Sequence, residues 1–201
     1  MMEFRKLIQR FKRDQTGSVA VETLIMTPLL VWFFIATLQY FDAYRSELIS
    51  NKAALTIADM YSRETGYVDP AYLNGTQKLL KQLTLTEDDP SFRVTLFLWN
   101  DKQKKYKVRW SRRRGAKFPS VLRTVDMAAI ADRLPILSHL ERALLLETRT
   151  DYIPKYGNGF GIMEGTGLTG LEMRTFVVVS PRFGTSVCWN SVPGDPSKER
   201  C

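Results

Sequence analysis

Residues 17–41, GSVAVETLIMTPLLVWFFIATLQYF, decide the architecture of this chain of 201 residues. After Glu22 the segment carries no charge from Thr23 to Phe41. At about 1.5 Å per residue, a helix of this length matches the thickness of the hydrocarbon core of a bilayer. The sequence therefore predicts a transmembrane helix over residues 18–41, preceded by a short basic leader, residues 1–17.

The charges that flank this span predict its orientation. Only Arg45 and Lys52 follow it closely, whereas five basic residues precede it: Arg5, Lys6, Arg10, Lys12 and Arg13. Because basic residues are enriched on the cytoplasmic side of a membrane helix, we expect a cytoplasmic N-terminus and an external remainder. A cleaved secretory signal fits less well, because its apolar core would be about 7–15 residues long and would end at a small-residue site.

Glu22 is the charged side chain inside the predicted span. A carboxylate in hydrocarbon costs about 2.5–3.5 kcal/mol, so Glu22 needs a partner. Cleavage after Gly17 would supply one, because the new amine of Ser18 is cationic near neutral pH and lies one helical turn from Glu22. The alternative is that Glu22 lies at headgroup depth in an ordinary signal anchor.

The basic leader, Gly17 and the later Glu22 resemble a type IV prepilin signal. The longer stretch FKRDQTGSVAVETLIMTPLL, with Pro28 about two turns after Glu22, is similar to the TadE/TadF-like minor pseudopilins of the tight-adherence (Flp) pilus system. The resemblance implies cleavage between Gly17 and Ser18 by a prepilin peptidase, and roles for Glu22 and Pro28 in assembly. Ser18 stands where many type IV pilins have Phe, which leaves N-methylation of the new terminus open.

The same resemblance implies partners and a location. The partners would be the prepilin peptidase, other pilin and minor pseudopilin subunits, and inner-membrane pilus assembly proteins. The chain would cross the bacterial inner membrane once, with a cytoplasmic N-terminus and a periplasmic C-terminal domain, and its incorporation into the pilus stays open. The alternatives are an uncleaved single-pass membrane-anchored binding protein and, third, a membrane-anchored periplasmic enzyme.

Residues 42–65 predict an amphipathic stem helix continuous with the span. Apolar residues recur there at intervals of three, four and seven, and Gly66 supplies a stop. The residues expected to pack against the external domain share one helical stripe: Phe41, Tyr44, Leu48, Leu55, Ala58 and Tyr61.

Residues 66–201 predict an external α+β domain, pilin-like by the resemblance, with an antiparallel sheet of about four strands and a short helix. The segments FRVTLFLWN and KKYKVRWSR alternate as a hairpin with one apolar face, formed by Val94, Leu96 and Leu98 and by Tyr106, Val108 and Trp110. The segment Gln77–Leu83 is a candidate short helix. A further helix is predicted over Thr124–Leu134, with Val125, Ala128, Ala129 and Ala131 or Ile130 packing inward.

Two later segments complete the predicted sheet and also resemble the TadE-like family. RALLLETRTDYIP alternates and ends in acidic and aromatic residues before a proline, and LEMRTFVVVSPRF places Phe176 and Val178 opposite Val177 and Val179. The glycine-rich stretch between them, residues 157–170, predicts a flexible loop, because its spacing does not match a phosphate-binding turn.

The most basic stretch, residues 102–117, interleaves cations with Tyr106 and Trp110. A strand that binds nucleic acid has this composition. An external protein seldom meets nucleic acid, so we expect no nucleic-acid partner and favour a solvated strand that protects a sheet edge. A contact with an acidic neighbouring subunit or an anionic surface polymer stays open.

The residues that could carry chemistry are few. Cys188 and Cys201 can form a disulfide in an oxidising compartment, with two free thiols as the alternative. His139 is the only histidine, which excludes multi-histidine metal sites, and a surface helix position explains it. The carboxylates of Glu87, Asp88 and Asp89 fit a solvated turn. We therefore expect no enzyme activity, no catalytic residues, no cofactor and no metal.

Overall fold

The computed structural model describes residues 17–154 and 170–201, so leader residues 1–16 and most of the glycine-rich stretch lie outside the described residues. The described chain forms an α+β fold. Its helices are α1 (Ser18–Ser62), α2 (Pro70–Thr84) and two 3₁₀ segments, Asp126–Arg133 and Pro196–Lys198. Its strands are β1 (Tyr67–Val68), β2 (Ser91–Asn100), β3 (Lys105–Arg114), β4 (Arg142–Asp151), β5 (Glu172–Val179), β6 (Cys188–Asn190) and β7 (Glu199–Arg200).

Helix α1 is continuous for 45 residues and contains Pro28 in its first half. It is long and apolar enough to cross a membrane, with a mean hydropathy of 2.0 over its most apolar window and only 6% of that window buried. The prediction of one long N-terminal helix is confirmed. The helix ends at Ser62, where the backbone N–H of Arg63 donates to the carbonyl of Asp59.

The main sheet has the order β3-β2-β4-β5, with every neighbouring pair antiparallel. The predicted antiparallel sheet of about four strands is confirmed. A second sheet, β1-β6-β7, was not predicted, because its strands are only two or three residues long.

The main sheet is the middle layer of the domain, with one apolar cluster on each side. On the helix side, Val94, Leu96 and Leu146 pack with α1 and α2. On the other side, Phe97 and Leu145 pack against the 3₁₀ segment and its flanks. The prediction of a hairpin with a single apolar face is therefore wrong for β2, which is buried on both faces because elements cover the sheet from both sides.

A β-bulge in β3 corrects the predicted face of Trp110. Leu96 is opposite Trp110, and Phe97 is opposite Val108, so Arg109 is the extra residue between them. Because one extra residue reverses the side on which every following residue lies, Trp110 joins the helix-side cluster and Tyr106 the opposite cluster. Contrary to the prediction, Tyr106, Val108 and Trp110 therefore do not share a face: only Tyr106 and Val108 do.

The predicted inward stripe of the stem is also wrong for most of its members. Ala58 and Tyr61 are buried, whereas Phe41, Tyr44, Leu48 and Leu55 are exposed. The helix instead buries small residues with a period of seven, Ala36, Ala43 and Ser50, followed by Ile57. Small side chains allow α1 to lie close to the sheet, and the large apolar side chains are left on the outer face.

The short helix of the domain is α2, which is longer than the predicted Gln77–Leu83. Its start follows local rules, because Asp69 caps the N–H of Tyr72 at 2.6 Å and Pro70 is the first helical residue. The predicted Thr124–Leu134 helix is a 3₁₀ segment instead. With about three residues per turn, it turns Met127 inward and leaves Val125, Ala128 and Ala129 exposed. Of the residues predicted to pack inward, Ile130 and Ala131 do so, each partly buried.

Candidate functional site

The predicted cleavage junction lies at the start of α1. Gly17 is the exposed N-cap residue, Ser18 is the first helical residue, and the carbonyl of Gly17 accepts a hydrogen bond from the N–H of Val21 at 3.1 Å. Within residues 17–154 and 170–201, no neighbouring atom lies within 4 Å of the position that a side chain on Gly17 would occupy. The peptide bond between Gly17 and Ser18 therefore joins the described helix to residues 1–16 at an open position.

Glu22 and Pro28 lie on the apolar half of α1, outside the α+β domain. Glu22 is exposed, and among the described residues no cation or hydrogen-bond donor contacts its carboxylate. Pro28 has no N–H, so the carbonyl of Leu24 lacks its normal helical donor. The chain itself thus leaves one charge and one backbone acceptor open in a segment that is otherwise apolar.

The point where α1 meets the α+β domain is fixed by polar contacts that the sequence did not reveal. Tyr152 follows β4 and is buried, and its hydroxyl accepts a hydrogen bond from the side-chain amide of Gln39. The same hydroxyl lies 3.1 Å from Oδ2 of Asp42. About two turns further along α1 from Asp42, Oγ of Ser50 lies 3.3 Å from Oγ1 of Thr150. These contacts hold the end of β4 against the stem.

The outer face of α1 carries an apolar seam, which we define as Phe34, Phe41, Leu48 and Leu55. Their exposed fractions are 64%, 70%, 44% and 56%, in that order. The spacing is seven residues throughout, which is the repeat of a helix that packs against another helix. The seam runs without interruption from the predicted membrane half into the stem.

The two cysteines form a disulfide that fastens the C-terminus to the rest of the domain. Cys188 begins β6 and Cys201 follows β7. The carbonyl of Cys201 accepts a hydrogen bond from Nε of Arg109 at 2.7 Å, and Nε1 of Trp110 donates to the carbonyl of Val187 at 2.9 Å. The C-terminal segment therefore lies against the bulge in β3. Glu199 is close to both sulfurs, but the disulfide occupies the thiols that a metal would need.

The basic stretch does not form an aromatic platform. Tyr106 and Trp110 are both buried and lie on opposite faces of the sheet, so neither ring offers a surface on which a base could stack. Arg112 lies over the ring of Trp189 at 4.5 Å, and burial lowers the pKa of its guanidinium. This cation of β3 thus packs on an aromatic ring that is itself buried.

The residues considered for catalysis lie apart from one another. His139 occupies an exposed turn, not a surface helix as expected, and its Nδ1 accepts the backbone N–H of Asp101 at 3.1 Å. Glu87 and Asp88 lie in an exposed bend after α2, as expected, and contribute to a cleft of about 350 Å³ beside the stem. Asp42, Arg45 and Asp151 also line this cleft. Among the described residues that line it, there is no histidine, cysteine or lysine.

Comparisons with family models, with curated proteins and with solved structures found no match to this chain.

Proposed function

We propose that the chain is a TadE-like minor pseudopilin, a structural component in the assembly of a tight-adherence (Flp) type IV pilus. A prepilin peptidase cuts after Gly17, the mature helix stays in the inner membrane, and the pilin-like α+β domain lies in the periplasm. The resemblance of residues 11–30 to that family motivates the proposal. The observation that carries it is the apolar seam on α1.

The seam supports a function in subunit packing. The external domain already covers the small-residue side of α1. In the stem, outside the predicted span, Leu48 and Leu55 of the seam face water unless a second partner covers them. In the membrane half that partner must be helical or part of a closed barrel, because no other backbone satisfies its hydrogen bonds in lipid. A neighbouring subunit built on the same helix meets this requirement along the full length of the seam.

Glu22 fits the same assembly. Its carboxylate has no cation among the described residues, and the amine created at Ser18 would provide one, from the same subunit or from a neighbour. Pro28 leaves an unpaired carbonyl in the same half of the helix, which neighbouring helices can compensate. The disulfide at the C-terminus fits an oxidising periplasm.

The test is the N-terminal sequence and intact mass of the protein purified from membranes of its native host, with and without the host's prepilin peptidase. We expect a start at Ser18 that depends on the peptidase, and any methylation would add its mass. An intact leader in both strains would contradict the proposal and favour the uncleaved membrane-anchored binding protein.

Glu22→Ala separates cleavage from assembly. The substitution removes the charge and spares the peptide bond between Gly17 and Ser18, so we expect normal processing with impaired piliation. Normal piliation in that strain, measured by electron microscopy and by shear recovery of filaments, would contradict the role of Glu22. Glu22→Asp, which retains the carboxylate, is the matched control.

A further inference from the structure

Strand β5 forms an edge of the main sheet, and the pattern of its hydrogen bonds shows which of its groups are free. Tyr152 donates its N–H to the carbonyl of Leu171 at 2.9 Å, and the register places Tyr152 directly opposite Leu171. In an antiparallel pair, hydrogen-bonded positions alternate with positions whose backbone groups point away. Met173, Thr175, Val177 and Val179 therefore bond to β4.

The alternate residues of β5 direct their backbone groups outward. These are Glu172, Arg174, Phe176 and Val178. Among residues 17–154 and 170–201, none donates to or accepts from the N–H or carbonyl of these four. The edge between Thr175 and Val179 has no bulge, proline or charged side chain, which are the features that normally prevent a sheet edge from pairing.

Apolar side chains reach this edge on both faces of the sheet. Val177 and Val179 pack on the helix-side cluster, and Phe176 and Val178 pack on the opposite cluster. All four are only half-buried. An added strand with uncharged aliphatic residues on both of its faces would extend both clusters, because its side chains alternate in the same way.

The direction of β5 limits which strand can be added. Near its start, Met173 packs with Ala43 of the stem. Just beyond its end, the N–H of Arg182 donates to the carbonyl of Ser62, and its guanidinium lies 3.0 Å from Asp59. β5 therefore runs alongside α1 in the same direction, which is away from the membrane if α1 is anchored as proposed above.

A second copy of this chain is a poor occupant of the edge. Anchored in the same membrane, its β5 would also run away from the bilayer and could not pair antiparallel with the first. Its β3 runs in the opposite direction, but Arg109 forms a bulge there, and the N–H of Val108 already donates to Oγ1 of Thr124 at 3.1 Å. The copy's two edges are thus mismatched in direction or obstructed.

We propose that the edge of β5 binds an extended, uncharged aliphatic segment of a different polypeptide, which adds as a fifth strand antiparallel to β5 and runs toward the membrane. The direction relative to the membrane rests on the function proposed above. The strand addition itself depends only on the β5 edge, and it can be measured on purified full-length protein whether or not the leader is cleaved.

The experiment uses the full chain in detergent micelles and a fluorescent peptide based on β4, residues 142–151, which is the strand that β5 already pairs with. In this peptide, called the β4 peptide, Arg142, Glu147, Arg149 and Asp151 are replaced by threonine, so that it is uncharged as the proposed segment is. Binding is followed by fluorescence anisotropy, and residue-specific amide exchange is followed by NMR. We expect saturable binding and slower exchange at Phe176 and Val178, while Val177 and Val179 stay protected with or without peptide. A peptide carrying Leu145→Pro is the control ligand.

Proline substitutions test the outward groups. Val178→Pro and Arg174→Pro each remove a donor that points away from β4, so we expect peptide affinity to fall at least about tenfold while the fold persists. Val178→Thr keeps the N–H and should bind within about threefold of the wild type. Val177→Pro removes a donor to β4 and should lower the thermal midpoint far more than Val178→Pro.

Four outcomes would overturn the proposal. They are no saturable binding of the β4 peptide, no change in exchange at Phe176 and Val178, equal destabilisation by Val177→Pro and Val178→Pro, or a homodimer of the wild type that Arg174→Pro abolishes. The last would identify a second copy as the occupant. If Val178→Pro fails to fold, Arg174→Pro decides, because that side chain is exposed and contacts no core residue.

Discussion

The two edges of the main sheet differ in nearly every property that governs strand pairing. At the β3 edge, basic side chains recur along the strand and Arg109 forms a bulge. The outward N–H of Val108 already donates to Thr124, and the C-terminal residue lies against the bulge. At the β5 edge, a regular strand presents half-buried aliphatic residues with free backbone groups. One sheet thus has an edge that prevents pairing and an edge that permits it.

The two edges show that the fold protects one side of the sheet against strand pairing and leaves the other side open to it. An exposed edge invites association with any extended chain, and charges, bulges and covering loops reduce that risk. These features are concentrated at β3, on the side of the domain far from α1. At β5, next to the stem, the strand itself has no charge, bulge or proline from Thr175 to Val179, and on one face the guanidinium of Arg133 lies over the ring of Phe176. The edge that these features leave open is therefore the one that lies next to α1.

The largest effect is expected from Trp110→Ala, which removes the ring that anchors the C-terminal segment beside the β3 bulge. Trp110 is 3% exposed, and its Nε1 donates to Val187. We expect a loss of about 3–5 kcal/mol in the free energy of unfolding, measured by urea denaturation of the full chain in detergent. The matched change at the other edge, Phe176→Ala, should cost about 1–2 kcal/mol because that ring is only half-buried. Equal losses would contradict the difference between the edges.

The next effect is expected from the double substitution Cys188→Ser and Cys201→Ser. The disulfide closes a loop with a sequence separation of 13 residues. Closing such a loop lowers the entropy of the unfolded chain, which stabilises the folded protein by about 3 kcal/mol. Loss of the disulfide should also free the C-terminus from Arg109. Thermal unfolding with and without reductant checks this, and the double variant should not respond to reductant. Alkylation of both thiols in untreated protein from the native host would contradict it.

Stability at alkaline pH tests the helix-side cluster, to which both edge strands contribute side chains. Burial raises the pKa of Tyr61, and it also raises that of Tyr72, whose ring packs against Tyr61 edge-on. A folded-state pKa above that of the unfolded chain means that the stabilisation is complete below pH of about 10 and is lost as pH rises further. We expect unfolding free energy to fall above that pH.

Tyr61→Phe is the matched variant for this pH dependence. It should lower stability by about 1 kcal/mol at neutral pH, because the hydrogen bond to Thr76 is lost, and it should weaken the decline at alkaline pH. A variant whose stability declines with pH as steeply as the wild type would show that Tyr61 does not carry the effect.

The smallest effect on stability is expected from the pair Lys105→Thr and Lys107→Thr at the β3 edge. Both side chains reach the surface, so the free energy of unfolding should change by about 0.5 kcal/mol or less. Removing the charges should nevertheless increase self-association through β3, measured by light scattering over a concentration series. Unchanged association would mean that the charges do not protect this edge. Lys102→Thr in the preceding turn is the control.

The sequence by itself determined the elements with strong local periodicity. The uninterrupted apolar run determined α1, and the alternation of Phe176 and Val178 against Val177 and Val179 determined β5 together with the two faces on which it packs. These patterns can be recognised because the spacing of side chains along a helix or a strand depends only on the local backbone. The start of α2 also depends on neighbouring residues alone, the cap Asp69 and the first helical residue Pro70, although the predicted helix was shorter.

Only the tertiary structure decided which surfaces are buried. The stem has a stripe of small residues and a stripe of large apolar residues, and periodicity alone cannot say which one faces the sheet. The bulge at Arg109 depends on pairing with β2, and it alone moves Trp110 to the opposite face. The contact of Gln39 with Tyr152 joins residues far apart in the chain. Each outcome depends on contacts between distant segments, and the local sequence does not contain that information.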